Sequence, residues 1–340
     1  MLRPWGTAFL ATFVVLAPGC SIQRMAVDRL GDALATGGTT FGSDDDPQLV
    51  REALPFTLKL IESLLAESPG HEGLLLAAAS GFTQYAYAFV QQDADRLEAE
   101  SFEAAAAERV RARKLHLRAR TYGLRLLDAR HPGWSGRLAA DPEGALATAS
   151  RTDVPALYWT AASWGSAIAL GKDDPAMVAD LPIVQALIDR ALALDESWSD
   201  GSLHSFLIAY EPARPGAGPA GYERATRHFE RAVALSEGKL ASPYVTWAES
   251  VAVAKQDVDG FRKALDSALA VDPDGRPEWR LENLVAQERA RWLLDRIGEL
   301  FLIEEEQDAE AEAEPESPPA ISLKTNPREH LVIAFARAAQ

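Results

Sequence analysis

The chain has 340 residues, 47% of them hydrophobic and 25% charged, and a net charge of −16 at pH 7. This length and hydrophobic content suffice for a large core. An acidic chain without a basic stripe is a poor nucleic-acid binder, which excludes that class of function. A single cysteine excludes an internal disulfide. Ala, Leu, Arg and Glu dominate while β-branched residues are sparse, so we expect an all-α protein.

The first twenty residues have the layout of an export signal. Arg3 precedes the apolar run from Ala8 to Leu16, and small or turn-forming residues then lead to Cys20. At roughly ten residues this run is shorter than the ~20 that a transmembrane helix needs, and we expect no later span. A cysteine at this place resembles a bacterial lipobox. We therefore predict a signal peptide over 1–19 and lipidation of Cys20; an ordinary export signal with an incidental cysteine is the alternative.

Two segments flank the predicted body of the protein. Residues 20–46 read as a lipidated N-terminus and tether, with a short amphipathic piece from Met25 to Leu34. Eight of the fifty acidic residues lie between Glu304 and Glu316, and like-charge repulsion predicts that the tail over 304–340 is disordered. Its last stretch, "REHLVIAFARAAQ", is either a short docking helix or a frayed end.

Between these segments, residues 47–303 show helical periodicity almost without a break. Asp46 followed by Pro47 is typical of a helix start. Stretches such as "LIDRALALDESWSDG" and "FRKALDSALAVDPDGRPE" then repeat one pattern, in which an amphipathic helix ends at an acidic residue and a turn with Pro or Gly follows. The last interval between such turns is about 35 residues, close to the tetratricopeptide period of 34. The pattern predicts an irregular tetratricopeptide-like array of helical hairpins that forms a compact superhelix.

Several of these stretches, read in order, resemble a known family. They include "VPALYWTAASWGSAIAL", "DGSLHSFL", "YVTWAESVAVAKQD" and "RLENLVAQERARWLLDRIGELF". Together with others from Pro47 to Phe301, they resemble the T component (TatT) associated with TRAP transporters. The resemblance implies a membrane-tethered, all-helical periplasmic protein that assembles with itself as a trimer and docks a TRAP-type solute-binding protein. It also implies a ligand-sized passage through each protomer.

Aromatic side chains mark the first set of candidate site residues. Trp159 and Trp164 are five residues apart on one helix, so they lie on different faces and cannot both enter one seam. Such residues either fill gaps between hairpins or line a groove for an apolar ligand or a partner side chain. The polar tips of Gln84 and Tyr85 pose the same choice in an apolar helix. The ligand- or partner-binding candidates are Gln84, Tyr85, Tyr158, Trp159, Trp164, His204 and Trp247.

A second set is polar. Glu249 lies in a helix rich in Ala and Val, and a carboxylate in apolar surroundings is costly unless it is paired. We predict that it pairs with an arginine of the following long helix or of a neighbouring one, as a structural ion pair and not as a catalytic acid. The predicted network is Glu249, Asn283, Arg289 and Arg291.

No motif indicates catalysis, a metal or a cofactor. The six histidines lack metal-ligand spacing, and the sequence contains no nucleophile elbow, phosphate-binding loop or dinucleotide fingerprint. The expected function is a noncatalytic lipoprotein accessory of solute uptake that faces the periplasm, docks a solute-binding protein and passes a hydrophobic organic ligand. Ser21 after the cysteine favours the outer membrane. The alternative is an envelope assembly scaffold that binds a partner protein and no small ligand; an enzyme is a third reading.

Overall fold

The computed structural model describes residues 28–34 and 38–302, and within these ranges all regular structure is helical. The all-α prediction is therefore confirmed for this part of the chain. The signal peptide, Cys20 and the acidic tail lie outside the described residues. The long helices are α1 (Pro47–Glu67), α2 (Glu72–Leu97), α3 (Phe102–Arg130), α4 (Val154–Ala169), α5 (Leu181–Leu194), α6 (Ser202–Tyr210), α7 (Gly218–Leu235), α8 (Ser242–Trp247, continued by Ala248–Ala252 and Val253–Lys255), α9 (Val258–Leu269) and α10 (Arg280–Asp295).

Short elements join the long helices. Residues 28–34 are helical, as are Gly38–Gly42, Trp134–Ala140, Pro142–Leu146, Pro175–Val178 and Ile297–Leu300. Single 3₁₀ turns are formed by Arg151–Asp153, Trp198–Gly201, Glu211–Ala213, Pro273–Gly275 and Pro277–Trp279.

Side-chain caps explain where several helices begin. The Asp46 carboxylate accepts hydrogen bonds from the backbone N–H groups of Gln48 and Leu49, and Pro47 occupies the first turn of α1. The Ser101 hydroxyl accepts from Ala104 N at the start of α3. These acceptors satisfy backbone donors that have no partner inside the helix. The predicted start of α1 is confirmed.

The first half of the fold is a sequential packing of α1 to α5. Helix α2 packs between α1 and α3, and α4 packs against α2, α3 and α5. Because three helices surround α4, nearly all of its residues are buried. A close approach of α3 to α4 occurs at Gly123, where a Cβ atom would lie 2.3 Å from Thr160 Oγ1.

The second half of the fold, α6 to α10, packs back against the first half. Helices α6 and α7 pack together, and α8, α9 and α10 share a separate apolar core. Helix α10 also contacts α1 and Gly38–Gly42, and Arg280 Nη1 donates to Ser43 O at 2.9 Å. The two ends of the described chain are therefore in contact.

Part of the predicted tether packs on the body. Ser68 Oγ donates to Asp28 Oδ1 at 2.7 Å, and His71 Nε2 lies 3.4 Å from Asp32 Oδ1. At Gly31, a Cβ atom would stand only 2.8 Å from His71 Nε2. Residues 28–34 are thus seated on the turn between α1 and α2.

Helix α2 qualifies the expectation that no later segment is apolar enough to span a membrane. Glu72–Leu97 has the length and composition of a span, with a window of mean hydropathy 1.2, and 61% of that window is buried inside the protein. Because α2 packs between α1, α3 and α4, the core of a helical protein accounts for this composition.

The contact at Gly123 can be tested by substitution. We expect Gly123→Ala to lower the free energy of unfolding by about 1–3 kcal/mol, because the new methyl group collides with Thr160 in a packed core. Gly136 also lies in a helix but has no neighbour within 4 Å of a built Cβ, so Gly136→Ala is the matched control. Urea denaturation of both variants measures the effect; equal stabilities would contradict the close approach.

Candidate functional site

A buried ion-pair network joins the two halves of the protein. Arg289 Nε of α10 donates to Glu249 Oε1 of α8 at 2.7 Å, and its Nη2 lies 2.9 Å from Asp95 Oδ2 of α2. Arg289 is fully buried, Glu249 is 2% exposed and Asp95 is 9% exposed. The Trp292 ring lies 4.1 Å from the guanidinium carbon. Burial alone would lower the pKa of Arg289, but the carboxylates of Glu249 and Asp95 raise it above its ordinary value.

Two π-helical segments surround this network. Ala86–Gln91 interrupts α2, and Ala248–Ala252 interrupts α8. The first contains Tyr87, whose hydroxyl contributes to the raised pKa of Arg289, and the second contains Glu249. Segments of this kind are rare and occur frequently at functional sites. The pair of them beside one buried arginine makes this interior the first candidate site.

Several buried polar atoms in this region have no hydrogen-bond partner within the described part of the chain. They belong to Arg289 (Nη1), Gln92 (Nε2), His116 (Nδ1) and Ser250 (Oγ). Leaving a buried donor unpaired is costly. A ligand oxygen would accept from Arg289, Gln92 and Ser250, whereas His116 Nδ1 needs a donor such as a hydroxyl group or an ordered water molecule.

His116 is a buried, neutral histidine that bonds the π-helical segment of α2. It is fully buried on α3, and its Nε2 lies 2.6 Å from Gln91 Oε1. Burial lowers the pKa of His116 to about 3. Because a carbonyl oxygen only accepts, the neutral imidazole donates through Nε2.

The remaining polar residues of α10 do not join Arg289. Asn283 Oδ1 accepts from Ala241 N at 2.9 Å, and its Nδ2 donates to Lys239 O at 3.0 Å, so this residue holds the loop before α8. Arg291 is exposed. Positions two and six residues from Arg289 fall on other helix faces. Of the four residues in the predicted network, the structure pairs Glu249 with Arg289. Asn283 and Arg291 lie apart from this pair.

The aromatic residues of α4 lie in the core. Tyr158 is fully buried and contacts Trp159 and Trp198, each at a ring-centroid distance of 5.0 Å. Trp164 points elsewhere: its Nε1 donates to Asp180 Oδ2 at 3.1 Å, and the Arg120 guanidinium lies over its ring. As the helical spacing predicts, Trp159 and Trp164 lie on different faces of α4. In the described structure the side chains on both faces make packing contacts.

The other aromatic candidates are dispersed. Tyr85 is buried on α2, where its hydroxyl accepts from Arg111 Nη2 at 3.3 Å, and the neighbouring Gln84 is half-buried. Trp247 is half-buried on α8 and donates through Nε1 to Thr226 Oγ1 at 3.2 Å. These hydrogen-bond partners differ from the neighbours of Tyr158 and Trp164 in α4.

A second candidate site is an open depression beside α5. Its lining residues are Asp189, Leu192, Ala193, Glu196 and His204. Leu192 and Ala193 supply an apolar floor. The carboxylates at the rim are paired with arginines, Asp189 with Arg214 at 2.6 Å and Glu196 with Arg231 at 2.7 Å. His204 is the candidate from the sequence that reaches this surface. Its Nε2 lies 3.2 Å from Glu196 Oε1.

Behind the depression, His204 faces His228. Their Nδ1 atoms are 2.8 Å apart, so one nitrogen donates and the other accepts, and the accepting imidazole is neutral at that atom. Burial lowers the pKa of His204 below its ordinary value. Burial, together with the nearby charges of His204 and Arg214, lowers the pKa of His228 to about 4.

In the described part of the chain, no group of three or more His, Cys, Asp or Glu side chains is arranged to hold a metal ion. Sequence reasoning missed Asp95, which the structure pairs with Arg289, and His116, which bonds Gln91 of the π-helical segment in α2. The available signal was "QQDAD" in an otherwise apolar helix, because buried polar residues need partners from other elements.

Comparison with known proteins adds independent information. A family model described as TRAP transporter T-component matches residues 43–301. The chain is also 31% identical over 306 residues to an uncharacterized protein of Treponema pallidum (strain Nichols), a match that covers 85% of this chain and 95% of that protein. The range matched by the family model extends from α1 to α10 and includes both candidate sites.

The Arg289 network makes a first prediction for this region. We expect Arg289→Met to lower the free energy of unfolding by about 3–5 kcal/mol, because it leaves the buried carboxylates without their cation. Arg291→Met, two residues along the same helix and exposed, is the matched control and should change stability by no more than about 0.5 kcal/mol. Urea unfolding measures both. Similar losses of unfolding free energy in the two variants would show that the buried ion pair stabilises the protein no more than an exposed arginine does.

Buried His116 predicts a pH dependence. Its native pKa is about 3, below the ~6.5 of an unfolded chain, so the unfolded state binds a proton first as the pH falls. The stabilisation is complete above pH ~6.5 and is lost progressively toward pH ~3. We expect His116→Gln, which cannot titrate, to show a shallower decline of unfolding free energy between about pH 7 and pH 4 than the unaltered chain. An unchanged slope would contradict this assignment.

Proposed function

This chain belongs to the TRAP transporter T-component family, and on that premise we propose that it is a lipoprotein accessory of a TRAP-type solute uptake system. In this proposal Cys20 carries the lipid, the body over 47–303 faces the periplasm, and the anchor lies in the outer membrane. The protein docks a soluble solute-binding protein. The single observation that carries the proposal is the family match over 43–301, which covers the folded body.

The proposed architecture is a tetratricopeptide-like superhelix. Consecutive long helices pack as neighbours from α1 to α5, and α10 meets α1 again. Stacked helical pairs of this kind offer extended surfaces for a protein partner. Self-assembly into a trimer is part of the proposal through the family resemblance.

We place the proposed docking surface at the depression beside α5. Its apolar floor and its rim of ion pairs, Asp189 with Arg214 and Glu196 with Arg231, suit a protruding partner segment with an apolar side chain at its centre and polar groups at its edge. Charges at a rim guide association and orientation, and the apolar centre contributes affinity. The protein has no catalytic role and no cofactor in this proposal.

The proposal also includes passage of a hydrophobic organic ligand through the interior. The unpartnered donors of Arg289, Gln92 and Ser250 support a polar ligand contact in the interior, beside two π-helical segments. The scaffold alternative is supported by a different observation. Tyr158 and Trp159 are buried and make core contacts, as expected of a protein that recognises partners without a small ligand.

Direct binding tests the proposal. We expect the lipidated protein to bind saturably to a purified TRAP solute-binding protein from the same organism, in biolayer interferometry. Ala193→Arg, at an exposed position of the depression, should weaken this binding about tenfold by filling the floor and adding charge. Ala107→Arg, at an exposed position of α3, is the matched control and should bind normally.

The outcomes separate the two functions. Binding that changes when the solute-binding protein carries its solute favours uptake with ligand transfer, whereas binding indifferent to solute favours the scaffold. No binding to any TRAP solute-binding protein of the organism would contradict both the docking surface and the uptake role.

A further inference from the structure

Helix α1 carries an exposed apolar stripe that the proposed docking surface does not use. Phe56 is 74% exposed and Leu49 is 56% exposed. With the half-buried Ala53 and Leu60 they occupy positions i, i+4, i+7 and i+11, which share one helix face. We call these four residues the α1 stripe. Exposed apolar patches of this kind mark contact with another protein or with a membrane.

The N-terminal segment runs alongside this helix. Residue Asp28 contacts Ser68 and His71 at the C-terminal end of α1. Gly38–Gly42 contacts α10, near Ser43 and the N-terminal end of α1. The described parts of this segment therefore lie at opposite ends of α1, and Asp28, the described residue nearest to Cys20, lies at the α1–α2 turn.

The separation of Cys20 from Asp28 limits the distance to a membrane. A fully extended chain advances at most about 3.6 Å per residue, so these eight steps span no more than about 29 Å. A lipid at Cys20 therefore holds the α1–α2 turn within about 30 Å of the bilayer surface. Some face of the body must lie against or near the lipid headgroups.

Charge does not draw the body to an anionic membrane, since the chain has a net charge of −16. The stripe itself is apolar, and its long neighbours Glu52 and Lys59 have opposite charges. Contact through this face is accordingly governed by insertion of side chains and varies little with salt.

We propose that α1 lies along the membrane surface, with the side chains of Leu49 and Phe56 inserted at the boundary between headgroups and acyl chains. This inference rests on the proposed lipidation of Cys20. The acyl chains hold the protein on the membrane, and the stripe sets its orientation.

Site-specific labelling tests the inference. The chain has one cysteine, and lipidation blocks its thiol, so Phe56→Cys introduces a unique site for an environment-sensitive fluorophore. The lipidated variant is reconstituted in vesicles of phosphatidylethanolamine and phosphatidylglycerol. We expect the emission to shift to shorter wavelength, with at least about twofold quenching by nitroxide-labelled lipids. Phe102→Cys on α3, where Phe102 is 73% exposed, is the matched control and should show neither effect.

Each other outcome overturns the inference. Equal signals at both positions in lipidated protein would exclude the orientation and leave the lipoprotein proposal intact. A blue shift without quenching by lipids, accompanied by crosslinking between the introduced thiols of two Phe56→Cys chains, would assign the stripe to a second copy of the chain. A blue shift without quenching and without crosslinking would assign it to the tail over 304–340. A mature protein that mass spectrometry finds without acyl chains would overturn the proposed lipoprotein, and this inference with it.

Discussion

The contact of Arg289 with Asp95 and Glu249 is the constraint on which the arrangement of the helices depends. It joins α2, α8 and α10 through one guanidinium that has no access to solvent. A buried cation tolerates neither loss of its carboxylates nor a large change in their positions. Arg96 adds an exposed pair with Glu288 between α2 and α10, which contributes little by itself because solvent screens it. The buried contact therefore fixes how the second half of the chain meets the first.

The same region combines a structural ion pair with features that occur frequently at functional sites. Two π-helical segments and several unpartnered buried donors surround Arg289. A structure selected for stability alone would replace such a network with apolar side chains, which are often equally stable or better. Membership of the TRAP transporter T-component family gives a reason for polar atoms to remain in the interior of a protein associated with solute uptake.

In our proposals the two surfaces serve different contacts. The depression beside α5 combines an apolar floor with a rim of ion pairs, which is the composition of a reversible protein contact. The α1 stripe lacks charge along its centre, and residues 28–34 pack at the C-terminal end of the same helix. A protein held to a membrane by flexible acyl chains still needs an orientation for its partner to find the docking surface, and an apolar helix face supplies one.

The sequence by itself determined the helices, the Asp46 cap of α1 and the need of Glu249 for a cationic partner. These features depend on residues within one or two turns, so periodicity and capping rules reach them. Only the tertiary structure decided that Asp95 and Glu249 both pair with Arg289. It also decided that Arg291 faces solvent and that Tyr158 and Trp159 are buried in the core. Partners as far apart in the chain as Asp95 and Arg289 are chosen by how irregular hairpins stack, because helix periodicity identifies a buried face and not the helix that will cover it.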